Sequence, residues 1–68
     1  MDLKKQLKAA YDVAKGQVGK PIPEGQYTVK GVDTNKLKVR GYLGLGTGND
    51  GTVYWITDKC VIAVEDAK

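Results

Sequence analysis

The sequence predicts an α+β domain, an N-terminal helix followed by a four-stranded antiparallel meander. Three observations lead there. Apolar residues recur at helical spacing over residues 2–15 and then stop. From Gln26 onward apolar and polar residues alternate with a period of two. The links between the alternating stretches are short, which favours antiparallel neighbours. With 68 residues the chain makes a single domain, 1–68, and a chain of this size buries only about 60% of the surface it exposes when unfolded.

The helix is expected over 2–15. Asp2 stands where an N-cap belongs, and Gly16 where a left-handed C-cap belongs. At about 100° per residue, Leu3, Leu7, Ala10, Tyr11 and Ala14 share one face, while Lys4, Lys8 and Lys15 line the other. A connector follows over 16–25. Pro21 and Pro23 hold the residues before them extended, and Pro23-Glu24-Gly25 suits a tight turn.

The sheet is expected over 26–65. Gln26–Val32 reads as the first strand, with Tyr27 and Val29 on one side, and Asp33-Thr34-Asn35 as a turn. Lys36–Leu43 reads as the second strand. There Leu37, Val39 and Leu43 point one way and Lys36, Lys38, Arg40 and Tyr42 the other. Residues 44–51 form a glycine-rich loop. Thr52–Thr57 is the third strand, Asp58-Lys59 a hairpin link, Cys60–Glu65 the fourth strand and 66–68 a tail. Trp55 shares parity with Val53 and is assigned to the core, which leaves Tyr54 nearer the surface. Four short twisted strands with glycines at bends can curl into a small SH3-like barrel. The alternative is an open sheet with the helix over one face.

Composition narrows the chemistry. The chain has no histidine, no serine and one cysteine. No Ser-His-Asp or Cys-His nucleophile system can be assembled within it. One cysteine supplies neither a zinc site nor an internal disulfide, so no metal is expected and no staple supports the core. Cys60, among Val61 and Ile62, reads as a buried structural thiol. The carboxylates Asp33, Asp50 and Asp58 fall in predicted turns, where Asp is a favoured turn-former. Catalysis and a resident cofactor are therefore not expected. Neither a signal-peptide stretch nor an apolar run long enough to span a bilayer is visible, so the expected location is the cytoplasm, with no membrane partner.

Gly46-Thr47-Gly48-Asn49-Asp50-Gly51 matches G-x-G-x-x-G letter for letter. A dinucleotide site needs that loop to feed a helix; here it feeds a predicted strand, so hairpin-turn chemistry explains it better. As an exposed loop, Gly46, Thr47, Gly48, Asn49 and Asp50 are a candidate partner contact.

Charge supplies the functional expectation. The net charge is +3, but residues 1–40 hold nine Lys/Arg against four Asp/Glu, and residues 41–68 two against four. A basic half fits an anionic partner, nucleic acid or an acidic protein surface. The candidate nucleic-acid contacts are Lys36, Lys38, Arg40 and Tyr42 on one strand face, extended by Lys30 from the neighbouring strand. The expected function is thus a non-enzymatic module binding an anionic partner, most simply nucleic acid. The alternative is a small protein-binding adaptor or inhibitor of the kind phages and mobile elements encode, acting through the helix or the 44–51 loop. A homo-oligomer that completes the small core is a third arrangement.

Overall fold

The helix that opens the chain forms where the apolar spacing puts it. In a computed structural model, which describes residues 3–49 and 51–66, α1 runs over Leu3–Ala14. Leu7, Ala10 and Ala14 are buried, and Leu3 and Tyr11 pack against the same core. Asp2, read as the N-cap, lies outside the described residues. The helix ends in a Schellman motif: Gly16 N–H donates to the Tyr11 carbonyl at 3.0 Å, and Lys15 N–H to that of Asp12 at 3.2 Å. Lys15 occupies the left-handed position with φ 54°, and Gly16 follows at φ 74°.

Beyond the connector the expected order of strands gives way to helices. β1 is the two-residue strand Ile22–Pro23. α2 (Glu24–Val29) and α3 (Thr34–Val39) stand where the first two strands were expected. β2 (Leu43–Gly48) and β3 (Gly51–Ile56) form a hairpin, and α4 (Asp58–Asp66) replaces the expected last strand. The sheet is antiparallel, open and three-stranded, in the order β1-β3-β2. The α+β class stands; among the described residues there is neither a fourth strand nor a closed SH3-like barrel.

Each departure has a local cause. Pro23 sits at the N-cap of α2 with φ −54° and ψ 141°, and Glu24 in the first turn complements the helix dipole. Pro23-Glu24-Gly25 is thus a helix start rather than a turn. Asp33 is likewise an N-cap: its side chain accepts a hydrogen bond from Lys36 N–H at 3.1 Å. Both short helices stop on a glycine. Gly31 (φ 79°) and Gly41 (φ 86°) hold the left-handed position. Val32 N–H donates to the Tyr27 carbonyl at 3.0 Å, and Tyr42 N–H to that of Leu37 at 2.9 Å. In α4, Cys60 and Val64 lie one turn apart, both buried, and Asp58, expected in a hairpin link before a last strand, stands in the first turn of the helix.

The hairpin inverts the predicted facing of its aromatic pair. Leu43 lies opposite Ile56, Gly44 opposite Trp55 and Leu45 opposite Tyr54. Tyr54 and Ile56 are buried, whereas Trp55 is half-buried on the other face. What takes Trp55 there is the run Gly44, Gly46, Gly48, which leaves that face of β2 without side chains. A Cβ on Gly44 would collide with the Trp55 indole, and one on Gly46 would stand 2.6 Å from Trp55 Cζ3. The expected glycine loop is therefore mostly a strand on which an indole lies. Only Asn49 of its turn is described, Asp50 lying outside the described residues.

The core joins both halves of the chain. Leu7, Ala10 and Ala14 of α1 meet Ile22, Tyr27, Val32, Leu37, Leu43, Tyr54, Ile56, Cys60 and Val64. Tyr27 is fully buried, its ring edge-on to Tyr54 at 6.3 Å and its hydroxyl donating to the Tyr54 carbonyl at 3.3 Å. That contact fixes α2 against β3. No helix among the described residues is long and apolar enough to cross a membrane.

Candidate nucleic-acid interface

The cations expected on a strand lie on a helix, which regroups them. Thr34 and Leu37 are buried and anchor α3. At 3.6 residues per turn the opposite side carries Asn35, Lys36, Val39 and Arg40, all exposed. Lys36 and Arg40 are one turn apart and stand side by side. Lys38 is about 160° from both around the axis and is half-buried on the flank. The four-residue alignment Lys36, Lys38, Arg40, Tyr42 therefore does not exist; two of its cations share a face and the third does not. Lys30 lies in the turn between α2 and α3, exposed. Among the described residues, the side chains of Lys30, Lys36 and Arg40 make no hydrogen bond or ion pair.

Tyr42 is not the open aromatic platform that the strand reading supposed. It is half-buried against the core, and the Lys59 ammonium lies 4.9 Å from its ring centroid. Lys59 Nζ also donates to the Arg40 carbonyl at 2.8 Å, at the C-terminal end of α3. Thr57 Oγ1 donates to the Gly41 carbonyl at 2.8 Å and to that of Tyr42 at 3.1 Å. Thr57 N–H adds a bond to the Tyr42 carbonyl at 3.1 Å. The start of α4 thus fixes the junction between α3 and the hairpin.

Of the predicted loop contacts, Gly46, Thr47 and Gly48 belong to β2, with Thr47 exposed, and Asn49 is an exposed turn residue. A shallow concavity of about 380 Å³ lies along α2, lined by Pro23, Gly25, Gln26, Val29 and Lys30. Val29 and Val39 are 83% and 75% exposed, the latter on the same side of α3 as the two cations.

Chemistry at Cys60 is suppressed by its position. The thiol is fully buried, and its Sγ lies 3.9 Å from the Leu7 carbonyl. Burial pushes its pKa up to about 11, so it is protonated at neutral pH. Desolvation, and then the Cys60 charge, push Tyr27 to about 12. Among the described residues no three His, Cys, Asp or Glu side chains gather in a way that would hold a metal ion.

Sequence reasoning missed Asn35 and Val39, reading the first as a turn residue and the second as core. A signal was present. Tyr27-Thr28-Val29-Lys30-Gly31-Val32 and Leu37-Lys38-Val39-Arg40-Gly41-Tyr42 share one pattern, apolar-x-Val-cation-Gly-apolar, ten positions apart. In both, the glycine is the left-handed C′ residue, and the flanking apolar pair closes the Schellman motif. Compared with known protein families, curated proteins and solved structures, the chain matches none.

Proposed function

We propose that the chain binds duplex DNA without catalysing a reaction on it, α2 and α3 serving as a helix-turn-helix and α3 entering the major groove. The observation that carries this reading is the α2–α3 unit. Two short helices are joined by Lys30-Gly31-Val32-Asp33, and the second is held from behind by Thr34 and Leu37 while Asn35, Lys36, Val39 and Arg40 face out. A four-residue, glycine-containing turn between two helices is the usual build of that motif, and its second helix is the one that meets base edges.

Charge supports the same partner. Nine of the eleven Lys/Arg precede Gly41, and Lys36 and Arg40 stand on the outer face of α3 with uncommitted side chains. Cations so arranged neutralise phosphates. A helix fits the B-form major groove but not the deep, narrow major groove of A-form RNA, which favours DNA over duplex RNA. The hairpin begins four residues after α3, and its exposed Thr47 and Asn49 offer a second backbone contact.

Fluorescence anisotropy with a labelled 20-base-pair duplex, its single strands and an RNA duplex tests the reading. Binding should favour the DNA duplex, with a log K against log salt slope of roughly −2 to −4. Lys36→Ala and Arg40→Ala should each flatten that slope by about 1, and Lys38→Ala should do less. A preference for single strands that disappears in Tyr42→Ala would make Tyr42 a base-stacking contact and reject the major-groove reading. No DNA binding at low salt would reject nucleic acid and leave an acidic protein surface as the partner.

A further inference from the structure

We infer that Asn35 and Val39 read base identity, and that the preferred DNA presents an A·T pair to this side of α3, adenine N6/N7 to Asn35 and the thymine methyl to Val39. The inference rests on the DNA-binding reading above and adds its sequence preference. Both residues are poor helix formers, Val through its restricted χ1 and Asn through competition with the backbone. Neither is repaid locally. Val39 is 75% exposed and buries little, and the exposed Asn35 side chain has no hydrogen-bond partner among the described residues.

They stand one turn apart on the outer side of α3, about 6 Å along the axis, which spans no more than two base-pair steps. The inner side of α3 is already committed to the core through Thr34 and Leu37. Folding therefore does not call for either side chain. An outward amide beside an outward branched aliphatic group is the donor–acceptor plus apolar pair that an A·T base pair offers in the major groove. Adenine presents N7 and N6–H₂, which an Asn amide contacts in a bidentate pair, and thymine presents its C5-methyl. Lys36 and Arg40, at the neighbouring positions, are left for phosphates.

The test selects duplexes randomised over ten base pairs with the full chain, sequences the bound fraction, and then edits the best duplex atom by atom. Enrichment of A·T pairs is expected. Thymine→uracil, which removes only the methyl, should weaken wild type about fivefold and leave Val39→Ala unaffected. Adenine→7-deazaadenine, which removes N7, should weaken wild type about tenfold and leave Asn35→Ala unaffected. Thermal melts should show both exposed-site variants folded. Binding without enrichment, or edits that weaken wild type and variants alike, would overturn this inference while DNA binding stands. A pool that does not bind at low salt overturns both.

Discussion

The Lys59 ammonium donates to the Arg40 carbonyl 2.8 Å away and covers the Tyr42 ring from 4.9 Å. One side chain from the first turn of α4 thereby caps the C-terminus of α3 and holds the residue that leads into the hairpin. A cation at a helix C-terminus also complements the dipole. Lys59→Met should keep the aliphatic stem over Gly41 and lose both polar contacts. Because the site is exposed, the expected cost is about 1 kcal/mol or less. DNA affinity should fall more than stability does, since the end of α3 is loosened, and Lys59→Arg should restore part of it. Denaturant melts paired with anisotropy measure the two; a variant equal to wild type in both would show that the contact contributes nothing.

Trp55 and the glycines beneath it make the second prediction. A Cβ on Gly46 would meet Trp55 Cζ3 at 2.6 Å, so the ring must lift or the strand must bend. Gly46→Ala should cost about 1–3 kcal/mol through overpacking, and tryptophan emission should shift to the red as the indole becomes wetter. In Gly46→Ala/Trp55→Ala the clash is gone, so the pair should be less damaging than the two single changes added together. Strict additivity in urea melts would mean that the ring does not rest on the strand.

How much of this was legible beforehand depends on segment length. α1 offers three turns of periodic residues, and its face was read correctly from Leu3, Leu7, Ala10, Tyr11 and Ala14. α2 and α3 have six residues each, under two turns, and over that distance helical and alternating patterns coincide. Tyr27 with Val29, and Leu37 with Val39, then fit an alternation of period two, which reads as strand. The strand over Cys60–Glu65 followed from taking Asp58-Lys59 as a hairpin link, whereas Asp58 opens α4 and the buried pair Cys60 and Val64 packs against the core. Lys36 and Arg40 stay side by side in the change of element because residues four apart share a helix face as well as a strand face, whereas Lys38 turns to the flank and Tyr42 packs against the core.

Lys15 carries the third prediction. It is the one non-glycine residue with positive φ among the described residues, at 54°, in the C′ position that glycine holds after α2 and α3. A side chain there costs about 1–2 kcal/mol from crowding between Cβ and carbonyl. Lys15→Gly removes that strain but makes the unfolded chain more flexible, so a net gain of about 0.5–1 kcal/mol is expected. Gly41→Ala imposes the same strain where there was none and should lose about 1 kcal/mol or more. Thermal melts giving both variants the same sign would contradict the geometry of the two helix ends.

Alkali gives the last prediction, and its sign follows from two raised pKa values. Cys60 is pushed from 9.0 to about 11 and Tyr27 from 10.0 to about 12, in both cases chiefly by loss of solvent. In the unfolded chain each group ionises at its ordinary pKa; in the fold the proton is retained longer. The unfolded state therefore binds fewer protons above pH 9, and stability falls as pH rises. The contribution of the neutral groups is complete below about pH 9. It declines between 9 and 11 as the Cys60 difference is lost, and between 10 and 12 for Tyr27. Each difference of about two pKa units amounts to about 3 kcal/mol at most. Cys60→Ala should be less stable at pH 7, because a fully buried side chain is shortened, yet its stability should be flatter between pH 9 and 10. Urea midpoints measured every half unit from pH 7 to 11.5 distinguish the two curves. Parallel curves for wild type and Cys60→Ala would mean that the thiol titrates no later in the fold than in the open chain.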